Sequence, residues 1–490
     1  MQFFENDFYG ILPELFLLLS SLSLLMFGVV YSTSKEHGSP SLMKVMSWAS
    51  VLCLVLTGFL LLNTPCNSMI FFSQSLLLDE LSVFFKILIL VGSVSSILMS
   101  FQYFETERMQ NFEYLILILL STLSMFLLVS SYDLISMYLA IEMQSLCFYV
   151  LAASQRNSEF STEAGLKYFL LGAFSSGVFL LGCSFLYGIT GLTNFESYAL
   201  FFSQESQIQQ TTEWVFVQIA LIFILLGFFF KLSAAPFHFW APDVYEGSPT
   251  SVTLFFTMVP KIAALTIFIR FLYVPFLNLI DQWQMIIIFL SIASMLFGAI
   301  AAIGQTNIKR LIAYSSIGHI GYTLAGLATG SNEGIQSSII YITIYVIMNL
   351  AFFSCLLMLK RNDQYYEDID DLSGLSKNHP LLSLSLLVIL FSLAGIPPLA
   401  GFFAKFYIFT AVLEQSMYFL AIVGLLSTVI AAFYYLRIIK IIYFDKEKEK
   451  YDSDHSLWLK FSLTFSTILI LLYFIFPSQL IEVVSRINII

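Results

Sequence analysis

Charge is scarce in this chain. Of its 490 residues only 11% are Asp, Glu, Lys or Arg, and 58% are hydrophobic; an average soluble domain carries roughly 25% charged residues. That supply cannot cover a surface meeting water on all sides, which excludes an ordinary soluble globular fold. A disordered chain is excluded by the same numbers, because disorder needs low hydrophobicity and high charge. Cysteine is scarce too: Cys53, Cys66, Cys147, Cys183 and Cys355 form no C-x-x-C pair, and four of them lie inside apolar runs. They read as small core residues, not as ligands of an iron–sulfur cluster or zinc. Neither a G-x-x-x-x-G-K-[ST] loop nor a strand–turn–helix glycine fingerprint occurs, which argues against nucleotide binding. No lysine- or arginine-rich patch could follow a phosphate backbone, so nucleic acid is not an expected partner. Glu5 and Asp7 precede the first apolar run where a signal peptide would be basic. Insertion without a cleaved presequence is the expectation, as for a bacterial or organelle-encoded protein.

Long apolar runs are abundant. Runs of about 18–25 residues recur from end to end, enough to cross a bilayer core of about 30 Å. They predict an all-α membrane protein with fourteen spans, at 11–31, 41–63, 78–101, 113–131, 133–154, 165–190, 214–244, 249–272, 282–303, 308–328, 336–359, 380–413, 416–440 and 457–476. Residues 191–213 are too hydrophilic to span. Positive charge tests the count. Outside the spans, 16 Lys and Arg gather in the odd-numbered loops, among them Lys35, Arg108, Arg156, Lys309, Lys360 and Lys446, and only Arg270 and Arg486 fall on the other face. By the positive-inside rule both termini then face away from cytoplasm or matrix.

Two spans carry prolines in the middle. The seventh reads FILLGFFFKLSAAPFHFWAPDVYEG, with Lys231 ahead of Pro236; the twelfth reads FSLAGIPPLAGFFAKFYIF, with Pro397 and Pro398 ahead of Lys405. Proline removes a backbone donor and clashes with the preceding turn, so each helix should open there. In lipid the freed carbonyls need partners, which puts such breaks inside the protein or beside water. The two breaks are five spans apart and so cross in opposite directions, the pattern of an inverted repeat with discontinuous helices. The expected organisation is 1–112 for helices 1–3, 113–272 for a first repeat (helices 4–8), 273–440 for a second (helices 9–13), and 441–490 for a loop and helix 14.

Ionisable residues deep in spans cost about 2.5–3.5 kcal/mol each on insertion scales. Glu142, with Tyr138, Ser145 and Tyr149 on its helical face, and Lys261, preceded by Thr253 and Thr257, lie mid-span, while Lys231 and Lys405 flank the breaks. A lysine that gains or loses a glutamate contact changes its proton affinity. A row of such groups joined by water is therefore a proton relay. His319, mid-span in the tenth helix after Tyr314, Ser315 and Ser316, joins the relay candidates. His238, Asp243 and Glu246 follow the first break and read equally as channel-mouth groups or as loop and cap residues. Lys86, close to Asp79 and Glu80 near the start of its span, reads as structural. No metal site is expected.

The segments KLSAAPFHFWAPDVYEGSPT from Lys231, NIKRLIAYSSIGHIGY from Asn307 and AGIPPLAGFFAKFYIF from Ala394 resemble the antiporter-like membrane subunits of NADH:quinone oxidoreductase, respiratory complex I. The likeness covers roughly spans 3 to 14. Within that family, the lysine at 405 resembles the subunit 2 branch, called subunit N in bacteria; subunit 4 relatives carry glutamate there. The resemblance implies that Glu142, Lys231, Lys261 and Lys405 match the family's buried charges in helices 5, 7, 8 and 12. It implies proton pumping in a membrane arm, embedded in lipid beside other membrane-arm subunits. NADH, FMN, iron–sulfur clusters and ubiquinone then belong to partner subunits, with no cofactor in this chain. A free-standing or multisubunit cation/proton antiporter is the alternative, and an inert structural spacer a third reading. The motif wording favours the mitochondrial inner membrane over a plastid or a bacterium.

Overall fold

The computed structural model describes residues 7–32, 40–64, 69–107, 109, 111–203, 212–362, 364–446, 448, 450–452 and 455–487. Glu5, Lys35, Cys66 and Arg108, used in the sequence reading, lie outside the described residues. The main elements are α1 (Leu12–Tyr31), α2 (Pro40–Leu62), a hairpin of β1 (Met69–Phe71) and β2 (Leu76–Leu78), α3 (Glu80–Thr106), α4 (Glu113–Ser130), α5 (Leu134–Ala152), α6 (Glu159–Thr190), the short α7 (Phe195–Ser203), α8 (Thr212–Leu232), α9 (Trp240–Gly247), α10 (Thr250–Tyr273), α11 (Ile280–Ile303), α12 (Ile308–Ala328), α13 (Asn332–Leu356), α14 (Pro380–Ala394), α15 (Ala400–Glu414), α16 (Tyr418–Phe444), α17 (Leu457–Leu472) and α18 (Pro477–Ser485).

A helix stands over each of the fourteen apolar segments, and the seventh and twelfth are divided. Eleven of the described helices are individually long and apolar enough to cross a membrane, and the count reaches twelve when α17 and α18, bent by 87°, are taken together as one span. The 15-residue α14 is apolar but short. The 21-residue α12 falls below the same measure. Lys309, Arg310, Ser315, Ser316 and His319 lower its hydropathy, although all but Arg310 are buried.

The chain divides into two compact units. One holds Met1–Leu232 and Val259–Trp283, the other Ser233–Met258 and Gln284–Ile487. The division therefore falls at the first helix break and again inside α10.

In the first unit α6 packs on α8 and α4 on α5. Gly182 permits the α6–α8 approach, since a Cβ there would lie 2.8 Å from the Ala220 carbonyl oxygen and 2.9 Å from the Ile224 nitrogen. Small residues at such crossings let dispersion hold helices together where lipid offers no hydrophobic drive. One end of this unit is tied by polar bonds. Asp79 caps α3 reciprocally with Ser82, and Arg270 pairs with Asp79 at 2.6 Å while donating to the Val129 carbonyl at 2.7 Å. The hairpin joins the same region through Tyr132 N to Ser75 O at 2.9 Å and Asn194 Nδ2 to Gln74 O at 2.7 Å.

In the second unit α13 packs on α15 and α17, and α9 on α12. Arg310, at the start of α12, bridges Asp243 at 3.2 Å and Glu246 at 2.7 Å on α9. Lys309 pairs with Glu367 at 2.8 Å and donates to the Ser248 carbonyl at 3.0 Å. Asp243 and Glu246 thus fasten the half-helix after the first break to α12.

Candidate functional site

Leu134–Ala152 forms a helix because Asp133 caps it through the Ile135 amide, and the apolar run that follows continues unbroken. That places Glu142, Ser145 and Tyr149 at spacings of three and four, on one face. Lys231, half-buried in the last turn of α8, donates from Nζ to Ser145 Oγ at 2.6 Å. Ser145 in turn donates to the Ile141 carbonyl at 2.6 Å. Glu142 lies within electrostatic reach of Lys231 but makes no direct ion pair with it. One of its oxygens, Oε1, is buried without a hydrogen bond among the described residues. The arrangement is an open pair, with the ammonium on a hydroxyl one turn from a carboxylate.

Lys261 is 2% exposed in α10, directly after Pro260. Proline at 260 removes the amide that would bond to the Phe256 carbonyl, and the Tyr245 hydroxyl takes that oxygen at 3.2 Å. Thr253 and Thr257 use their hydroxyls on backbone oxygens, Tyr245 O at 2.9 Å and Leu254 O at 2.8 Å. The helix therefore absorbs its proline without opening.

The second unit builds a different cluster. α14 ends at Ala394, with Gly395 in the left-handed region at φ +88° as its cap. Lys405, 6% exposed on α15, reaches back to donate to the Leu393 and Ala394 carbonyls at 3.2 and 2.9 Å. Its ammonium also sits 5.2 Å from the centre of the Tyr322 ring. A cation at a helix C-terminus is favoured by the helix dipole. The carbonyls freed by a proline break need partners, and at this break two of them take the lysine itself.

His319 is buried between two phenols, Tyr341 at 2.6 Å from Nδ1 and Tyr435 at 3.3 Å from Nε2. Tyr435 continues to Ser315 Oγ at 2.5 Å, and Tyr322 to Ser427 Oγ at 2.8 Å. Of the groups singled out beside His319 in the sequence, Ser315 joins this network, while Ser316 donates to the Ala313 carbonyl. Tyr341 and Tyr435 went unnoticed because they come from α13 and α16, and 25 tyrosines offer no reason to choose these two. His238 lies in the first break, buried, with its ring 4.5 Å from that of Phe297. Its Nδ1 is buried without a hydrogen bond among the described residues, whereas both ring nitrogens of His319 meet a phenol.

Lys86 is fully buried and pairs with Glu14 of α1, not with its sequence neighbours Asp79 and Glu80. Asp79 is occupied by its cap and by Arg270. Among the described residues no group of three or more His, Cys, Asp or Glu is arranged to hold a metal ion.

A family model described as "NADH:quinone oxidoreductase/Mrp antiporter, TM" matches residues 131–431, a range that contains every candidate relay residue. The chain is 62% identical over 481 residues to NADH-quinone oxidoreductase subunit N of Pelagibacter ubique, covering 98% of this chain and 99% of that one. It is 46% identical over 489 residues to NADH-ubiquinone oxidoreductase chain 2 of Marchantia polymorpha, covering 99% and 98%. A chain of respiratory complex I from Thermus thermophilus with bound aureothin superposes with a TM-score of 0.79 at 30% identity, over 96% of this chain and 98% of that one. A chain of the Mrp complex from Dietzia sp. shares the fold, with a TM-score of 0.81 at 20% identity over 97% and 96%. On the family match across most of its length and the identity to these relatives, the chain belongs to the family of NADH-quinone oxidoreductase subunit N and NADH-ubiquinone oxidoreductase chain 2, the antiporter-like membrane subunits.

Proposed function

We propose that the chain is a proton-translocating subunit in the membrane arm of respiratory complex I, coupling electron transfer from NADH to ubiquinone to proton movement through Glu142, Lys231, Lys261 and Lys405. His319 serves as a further relay group and His238 as a lesser one. The chain contributes to an enzyme without performing redox chemistry; FMN, iron–sulfur clusters, NADH and ubiquinone are bound by partner subunits. It works in the mitochondrial inner membrane with both termini in the intermembrane space. In a bacterial or plastid membrane the same lysine-rich loops would face cytoplasm or stroma. The fourteen helical segments make fourteen crossings, with spans 4–8 and 9–13 as inverted repeats.

The observation that carries this reading is the open arrangement at Lys231, whose ammonium rests on Ser145 Oγ at 2.6 Å within electrostatic reach of Glu142. A lysine that can exchange a hydroxyl for a carboxylate can raise or lower its hold on a proton as neighbouring charge changes. The test is Lys231→Ala in the assembled complex, with vesicle acidification and reduction of an acceptor upstream of quinone measured together. Most of the pumping should vanish while acceptor reduction persists. Unchanged pumping in a normally assembled complex would exclude the role. Lys231→Arg should rescue only in part, since guanidinium stays protonated.

A further inference from the structure

The first unit contains a cavity of about 370 Å³ that the relay does not use. It lies where the loop between α3 and α4 meets the loop between α5 and α6. Leu117 of α4, Tyr149 and Val150 of α5 and Phe169 of α6 form its apolar walls. The walls are fixed in advance. Ser161 Oγ donates to the Ala152 carbonyl at 2.8 Å, and a Cβ at Gly165 would lie 2.6 Å from that of Ala153. The Tyr149 ring is wedged against Tyr168 at 5.0 Å and Phe169 at 5.6 Å. Val150 is 56% exposed and Phe169 46%, so the cavity opens sideways from apolar helices. A preformed apolar cavity with a few polar groups at one end is the usual form of a small-molecule site.

The polar end is supplied by Arg156, Glu113 and Asn111, all exposed. Arg156 and Glu113 make no ion pair with a described residue. Asn111 and Arg156 belong to the loops that the positive-inside rule places on the matrix or cytoplasmic side, and Glu113 opens α4 beside them, at headgroup level. An occupant must therefore be apolar along its length and carry both signs of charge at its head. We propose that this cavity binds a zwitterionic aminophospholipid, with the phosphate on the Arg156 guanidinium, the ammonium on Glu113, and an acyl chain along Val150, Leu117 and Phe169. A guanidinium matches phosphate oxygens with paired hydrogen bonds. A purely anionic lipid would leave Glu113 facing like charge, and an apolar helix of another subunit would bury both charges without partners. Tyr149 lies one turn beyond Ser145, so the lipid would brace the helix that holds the Lys231 ammonium.

Two measurements on the whole complex test this. In the first, phosphatidylethanolamine retained through detergent washing is quantified for the parent chain and for Arg156→Ala, Glu113→Gln and Val150→Trp. Each substitution should lose the retained aminophospholipid while the blue-native band and its NADH dehydrogenase activity persist. Equal retention in all four proteins overturns the site. Loss with Arg156→Ala but not with Glu113→Gln overturns the aminophospholipid in favour of a lipid held by phosphate alone. In the second, a benzophenone amino acid at position 150 is irradiated in native membranes, which leaves both charges in place. An adduct of phosphatidylethanolamine mass on this chain is expected. A protein adduct with no lipid adduct would mean that a neighbouring subunit fills the groove, and the proposal fails.

Discussion

Lys231 and Lys405 stand on opposite sides of their breaks, and each side imposes a different partner. Lys231 ends the helix before its break and leaves the gap altogether, donating to a serine hydroxyl on α5 at 2.6 Å. The gap is closed by other means, the Ala235 amide donating to Ser294 Oγ at 2.8 Å. Lys405 stands in the second turn of the helix after its break and turns back onto the Leu393 and Ala394 carbonyls at 3.2 and 2.9 Å. A hydroxyl is a rotatable partner that can be exchanged by a change of rotamer. Two carbonyls at a helix end are fixed, and the dipole of α14 adds to their hold. The first lysine is thus placed to move between partners. The second is placed to stay until the helix end itself moves.

The largest effect should come from breaking the fixed contact. Lys405→Ala leaves two buried carbonyls without a donor, at a cost of about 2–4 kcal/mol. Lys231→Ala leaves a serine that already donates to its own helix, and side-chain hydrogen bonds between membrane helices average about 0.6 kcal/mol. Heating the assembled complex and following release of this subunit on blue-native gels should therefore show a clear drop in temperature for Lys405→Ala and little change for Lys231→Ala. Equal drops would remove the distinction between the two breaks.

Lys405→Gln sharpens it. The amide can still donate to the carbonyls but cannot store a proton. Thermal stability should return toward that of the parent, while vesicle acidification stays as low as in Lys405→Ala. If acidification returns as well, Lys405 is an anchor and the relay ends elsewhere.

The breaks were legible in the sequence because proline acts locally, and the observed helices stop at Leu232 and Ala394, shortly before Pro236 and Pro397. The partners were not legible, for two physical reasons. A backbone carbonyl has no side chain to announce it, so nothing in AGIPPLAGFFAKFYIF shows that Lys405 turns back 11 and 12 residues. Tertiary pairs also override sequence proximity. Lys86 has two carboxylates within seven residues, yet it pairs with Glu14, 72 positions away, because Asp79 is consumed by capping α3 and by Arg270, 191 positions away. The same holds for His319, whose phenol partners stand 22 and 116 residues from it.

A smaller effect follows from the movable contact. Ser145→Ala removes the hydroxyl that holds Lys231 but keeps lysine and glutamate. If the serine is one of two alternating partners, pumping should fall roughly two- to tenfold, equivalent to about 0.4–1.4 kcal/mol, with no change in the temperature of subunit release. A loss as deep as that of Lys231→Ala would mean that the hydroxyl is itself an obligatory link in the path.

The smallest difference lies within the second unit, between the two phenols on His319. Tyr341 meets Nδ1 at 2.6 Å and Tyr435 meets Nε2 at 3.3 Å, and hydrogen bonds weaken toward the longer distance. Tyr435 has a second partner in Ser315 at 2.5 Å, which Tyr435→Phe would leave behind. Tyr341→Phe should therefore reduce pumping through weaker positioning of the imidazole, by less than about tenfold. Tyr435→Phe should act mainly on stability, through the Ser315 hydroxyl deprived of its partner. Acidification rate and subunit-release temperature, measured side by side for the two variants, separate these outcomes. A pattern in which Tyr435→Phe loses more pumping than Tyr341→Phe would move the proton path to the Nε2 side of the ring, toward Tyr435 and Ser315.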